Sequence, residues 1–237
     1  MSNTPLISRP SYAIASTRKY RLSPRAKRSF NTALDANDIV DKGGANHSVV
    51  RIEAEATGDI TIHFEHPLIR GVIRESLVLV STPEGLKAGH LSRTVNGKDD
   101  ALIRSEEVHF HAGTLTLPGA TYPEVMLPFL LSWQPFDKTR RTLYAWINDR
   151  FLAKVQYESI GRTTVDLPGG RRDAWEMVMW PDLNDWVNLG RVLTKLSYPF
   201  VPKYRMWFDP REPHAVLRFE GPYGPPGAPE IVLELLD

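Results

Sequence analysis

Cysteine is missing from all 237 residues, which excludes disulfides, thiolate metal sites and cysteine nucleophiles. Such a chain suits a reducing compartment, although cysteine-free periplasmic proteins also exist. Long apolar runs are missing too: the longest, at 125–131, contains Pro128 and falls well short of the roughly 20 residues that a membrane-spanning helix needs. Acidic residues are absent from positions 1–34, which hold seven basic ones (Arg9, Arg18, Lys19, Arg21, Arg25, Lys27 and Arg28). The rest of the chain then carries 22 basic against 28 acidic residues, a mildly acidic body that argues against a nucleic-acid binder. There is no glycine-rich phosphate loop, since Gly169-Gly170 follows a proline in a turn, and no Gly-x-Ser-x-Gly nucleophile elbow.

The basic, serine-containing start has the composition of a transit peptide, and equally that of a solvated arm. It lacks the apolar centre of a secretory signal, so the expected location is cytoplasmic. Residues 1–44 are read as a basic, possibly disordered arm, and 45–237 as one domain.

What is present is alternation. Apolar residues make up 42% and charged residues 24%, enough for a sizeable core. In the strand-length run at 59–66, Ile60, Ile62 and Phe64 share one face, with Thr61, His63 and Glu65 on the other. Strand-length runs recur at 45–57, 76–82, 86–95, 101–112, 142–147, 151–159, 162–167, 173–180, 203–208, 215–220 and 230–236. Turn signals close them at Gly58, Asn96-Gly97, Asn148-Asp149 and Pro168-Gly169-Gly170. Two helices are expected. One starts at Thr121, with Glu124 completing a capping box and Tyr122, Val125, Met126, Phe129 and Leu130 as its apolar stripe; Pro128 shortens or kinks it. The other, at 186–197, is capped by Asp185. The expected fold is mainly β: a single curved antiparallel sheet, a half-open β-barrel of about ten or eleven strands, with both helices on the concave face.

Three segments carry a family resemblance: Thr164-Val165-Asp166-Leu167-Pro168-Gly169-Gly170 with Asp173-Ala174-Trp175; Lys203-Tyr204-Arg205-Met206-Trp207-Phe208; and Leu217-Arg218-Phe219-Glu220-Gly221 with the closing run at 231–235. Over residues 144–235 the chain resembles the bacterial domain of unknown function 3108 family. The resemblance implies an architecture similar to the half-open barrels of lipoprotein carriers. It implies no catalytic residue.

Glu107, His109 and His111 alternate along one strand and so share a face. Two imidazoles and a carboxylate suit zinc, iron or nickel, if a third histidine (His63, His66 or His90) joins them; otherwise the trio is a solvated face. Glu176, between Trp175 and Met177, is a carboxylate among apolar neighbours, placed to act as a general acid or base, or to pair with an arginine on the next strand. Tyr144, Trp146, Tyr157, Trp175, Trp180, Tyr204 and Trp207 recur through the second half, either as core or as the wall of a pocket for an amphipathic ligand.

Two functions follow. The first is binding of a hydrophobic or amphipathic, lipid-like small molecule between sheet and helices. The alternative is a cofactor-independent cyclase or isomerase acting on a hydrophobic intermediate in the same cavity. Neither calls for a cofactor. A fully packed interior would point instead to a structural module.

Overall fold

The structure is a computed structural model that describes residues 4–12, 14–25, 47–56, 58–68, 71–110, 117–149, 151–182, 203–222 and 230–236. Its strands are β1 (Ser16–Pro24), β2 (His47–Ala54), β3 (Ile60–Leu68), β4 (Gly71–Thr82), β5 (Gly85–Gly97), β6 (Leu102–His109), β7 (Thr121–Pro123), β8 (Arg141–Asn148), β9 (Phe151–Leu167), β10 (Gly170–Pro181), β11 (Tyr204–Phe208), β12 (Val216–Pro222) and β13 (Glu230–Leu235). A 3₁₀ turn (Glu124–Met126) leads into the helix α1 (Leu127–Leu131).

All 13 strands belong to one sheet in the order β6-β5-β4-β3-β2-β1-β13-β12-β11-β10-β9-β8-β7. The first and last strands pair in the middle, where Tyr20 faces Leu235 and Leu22 faces Leu233. The sheet edges therefore fall in the middle of the chain, at β6 and β7. Every neighbouring pair is antiparallel except β7–β8, whose parallel pairing is reached through the 124–140 connection that carries α1.

The inner face is built by the alternation visible in the sequence. One row of cross-strand partners runs Ile52–Ile62–Leu77–Leu91 across β2 to β5, and the last three are fully buried. Each such side chain contributes about 1.5–3 kcal/mol by leaving water. Register shifts in β4–β5, β8–β9, β9–β10 and β11–β12 mark bulges, which bend strands and increase twist. Gly161 sits beside one of them with φ +128°, a backbone state that costs glycine nothing. The long sheet thus coils into a barrel-like shape without closing: among the described residues no ladder joins β6 to β7.

Helix α1 fills the interior. All five of its residues are buried, and the Phe129 ring lies 5.9 Å from those of both Tyr20 and Phe64. At one end of the barrel the seam is held by Tyr122. Its hydroxyl donates to the Leu86 carbonyl at 2.6 Å and accepts the Ile7 N–H at 3.0 Å, while Leu86 N–H donates to the Ile7 carbonyl at 2.8 Å.

Three sequence expectations change. The strand count is 13, not ten or eleven. Residues 16–24, assigned above to the arm, are a strand paired on both sides. The helix does not start at Thr121: that residue is in β7, its hydroxyl donates back to the Pro118 carbonyl at 2.7 Å, and no side chain caps the turn that follows. Pro128 falls in the first turn of α1, where its missing N–H leaves nothing unpaired, and of the two outcomes expected, a short helix or a kinked one, the helix is short, at five residues. The second helix, expected at 186–197, lies outside the described residues, so α1 is the one α-helix among them.

Candidate functional site

A cavity of about 460 Å³ opens at the end of the barrel opposite the Tyr122 clamp. Along β5 the clamp is at Leu86, whereas Arg93 and Val95 face the cavity. Its apolar wall is the inner face of the strands closed over by α1: Leu22, Phe64, Phe129, Met179, Phe219 and Leu233 all contribute. A site of this size and character matches those that hold small organic ligands.

The polar end is concentrated on a few side chains. On β5, Arg93 donates to Glu75 of β4 and, at 3.2 Å, to Glu106 of β6; Arg104 lies 3.7 Å from Glu106. Arg93 also sits 5.9 Å from the Trp146 ring. Glu75 is only 4% exposed, and its Oε2 makes no hydrogen bond among the described residues. Burial pushes its pKa up against the pull of Arg93. Glu124, in the 3₁₀ turn, accepts a hydrogen bond from Tyr204 at 2.8 Å. Burial drives its pKa up to about 8, opposed by the Tyr204 hydrogen bond and the Arg93 charge. Burial and the neighbouring Glu124 hold the Tyr204 hydroxyl well above its usual value. His66 lines the same cavity, with Nδ1 2.9 Å from Ser48 Oγ.

Of the seven aromatic residues proposed from sequence, Trp146 and Tyr204 line this cavity. Tyr157 is buried elsewhere inside, its hydroxyl 3.3 Å from Gln134 Oε1. Trp175, further along β10, stacks on Phe136 with centroids 5.7 Å apart. Trp180 lies under the Arg140 guanidinium at 5.1 Å, and Tyr144 is half-buried outside the cavity wall. Trp207 alternates with inward Tyr204 and Met206, so it faces outward, beneath Arg205 (4.8 Å) and Arg218 (5.9 Å).

Glu176 is the cross-strand partner of Trp207 and shares its outer face. Its Oε1 accepts from Arg205 at 2.6 and 2.9 Å. Glu176 is therefore an ion-pair partner on the outside and does not meet Tyr204 or Glu124 in the cavity. Glu107 is also engaged elsewhere, with Ser92 Oγ at 2.8 Å and His90 Nε2, and these contacts lower its pKa. His109 stacks on His90 at 4.6 Å, and His111 lies outside the described residues. Among the described residues no group of three or more histidines and carboxylates has metal-holding geometry.

The site residue that sequence reasoning misassigned is Glu124, read above as a capping-box acid. The signal was its setting: a lone carboxylate inside the apolar stretch Tyr122, Val125, Met126 and Phe129.

No family model and no curated protein sequence matches the chain. Among solved structures, a beta-barrel-like protein of the domain of unknown function DUF1849 from Brucella abortus is similar in fold, with a TM-score of 0.52 at 11% identity over 99% of this chain and 98% of that one. The hypothetical lipoprotein YmcC from Escherichia coli aligns with a TM-score of 0.37 at 13% identity, over 94% of this chain and 84% of that one. The first likeness shows a fold shared with a barrel-like family of unknown function and says nothing about chemistry. The more specific resemblance to the domain of unknown function 3108 family gains no support.

Proposed function

We propose that this protein binds a hydrophobic or amphipathic small molecule in the cavity between the coiled sheet and α1. One observation carries the reading: a space of about 460 Å³ beside α1, walled by aliphatic and aromatic side chains from strands far apart in sequence. Each 100 Å² of apolar ligand surface withdrawn from water supplies roughly 2.5 kcal/mol. The polar groups at one end orient the ligand.

The test is titration with the neutral fluorescent probe N-phenyl-1-naphthylamine. The protein should enhance its emission saturably, and Leu233→Trp, which fills the cavity from β13, should weaken binding by roughly tenfold or more while leaving the far-ultraviolet circular dichroism unchanged. Equal binding by Leu233→Trp and the parent would place the probe elsewhere and overturn the reading.

A second reading, the cofactor-independent cyclase or isomerase, is favoured by Glu124, a carboxylic acid kept protonated near neutral pH inside an apolar cavity. Native mass spectrometry separates the two. A carrier retains the same molecule in the parent and in Glu124→Gln, whereas an enzyme accumulates a different one, its unreacted substrate, in the variant.

A further inference from the structure

Five charged or chargeable side chains from β4, β5, β6 and the 3₁₀ turn converge on the polar end of the cavity: Glu75, Arg93, Arg104, Glu106 and Glu124. Arg93 is shared between Glu75 and Glu106, and Arg104 approaches Glu106. Arg93 is thus held by two carboxylates, and Arg104, largely exposed, stands at the rim. Glu124 is the third carboxylate. It has the Tyr204 hydroxyl on one oxygen, and no cation pairs with it among the described residues. Glu75 adds a buried acceptor, Oε2, without a hydrogen bond among those residues. The remaining titratable group, His66, is turned toward Ser48.

An anionic head, a carboxylate or a phosphate, would enter beside Glu75 and Glu106, would gain nothing from a protonated Glu124, and would find the inner guanidinium, Arg93, already engaged by two acids. A primary ammonium carries three donors and one positive charge, which complements an acceptor-rich end whose third carboxyl, Glu124, has no cation of its own among the described residues. From this geometry we infer that the cavity selects an amphiphile with a primary-amine head, with Glu124 as its counter-ion. The inference rests on the cavity being a ligand site, and deepens it by naming the head group. Binding moves a proton but makes no covalent bond: the Glu124 carboxyl gives up its proton to solvent, or to an amine that arrives neutral, and a carboxylate–ammonium pair remains.

The experiment is displacement of bound N-phenyl-1-naphthylamine by dodecylamine, dodecanol and dodecanoate, each kept below its micelle concentration. Dodecylamine should displace the probe at roughly tenfold lower concentration than dodecanol, with dodecanoate weakest, because a hydrogen bond to a charged group outweighs a neutral one by about that factor. Glu124→Gln should bring dodecylamine down to the level of dodecanol. Tyr204→Phe keeps the carboxylate and should preserve the ranking with a smaller margin, so the preference stays testable if Glu124→Gln does not fold. Displacement by all three with dodecanol or dodecanoate ahead would overturn the amine assignment and leave the hydrophobic site standing. Failure of all three to displace the probe would overturn the ligand site itself.

Discussion

Glu124 shows what burial does to a single residue. Its pKa is about 8 in the folded protein against an ordinary 4.5, so between those values the folded state holds a proton that the unfolded chain has released. Stability therefore falls as pH rises through that window and levels off above it. Glu75, also shifted upward, adds a slope of the same sign. Asp137, Asp209 and Glu107 shift downward, so their contribution is lost only as pH falls below the ordinary carboxylate range. Urea midpoints should decline from about pH 5 to about pH 9, and Glu124→Gln should flatten the decline to the share of Glu75. A pH-independent midpoint in the parent would contradict the burial of both acids. Glu176, on the outer face, is paired with Arg205. Glu176→Gln should cost roughly 1–2 kcal/mol of stability and leave probe affinity unchanged; a large loss of affinity would put that side chain in the ligand site after all. The sequence could not separate these two acids. Both faces of β10 are covered, with Met177 and Met179 inside and Trp180 outside beneath Arg140, so apolar neighbours alone do not reveal which way Glu176 points.

At the scale of elements, the hairpins were legible and the exceptions have physical causes. Strands β3 to β5 and β8 to β10 alternate clearly and end in glycine, asparagine or proline turns. Strand β1 was hidden because its inward face offers little more than Tyr20 and Leu22 between charged neighbours. Its outward residues are basic for a reason that only the sheet shows. Arg21 pairs with Glu234 at 2.6 Å, and Glu234 with Arg218 at 2.8 Å, so the basic strand lies against acids from the far end of the chain. Tyr20 is 1% exposed and packs on Phe129. Tyr20→Ala should therefore lower stability by about 3–5 kcal/mol in urea unfolding, the cost of emptying a core aromatic site. A solvated arm would give a change within about 0.5 kcal/mol. Strand β7 was read as a helix start because Thr121 and Glu124 have capping-box spacing; the hydroxyl bonds backward to Pro118 instead, and the helical turns begin only after Pro123.

For the whole molecule, pattern reading reached the class of fold and stopped short of its closure. Nothing local in the sequence announces that β1 and β13 pair, yet that pairing puts the free edges in mid-chain and lets Ile7, Leu86 and Tyr122 hold one end of the seam, while the other end has no such clamp among the described residues. The cavity is a product of this arrangement. Its walls come from nearly every strand and from α1, so no motif marks it, and of the aromatic residues picked from sequence only Trp146 and Tyr204 reach it. The measurement that tests the account most directly is probe titration of the parent protein beside Leu233→Trp. The account predicts saturable binding by the parent and a loss of roughly tenfold or more in the variant at unchanged fold. Equal binding by both, or none by the parent, would contradict it.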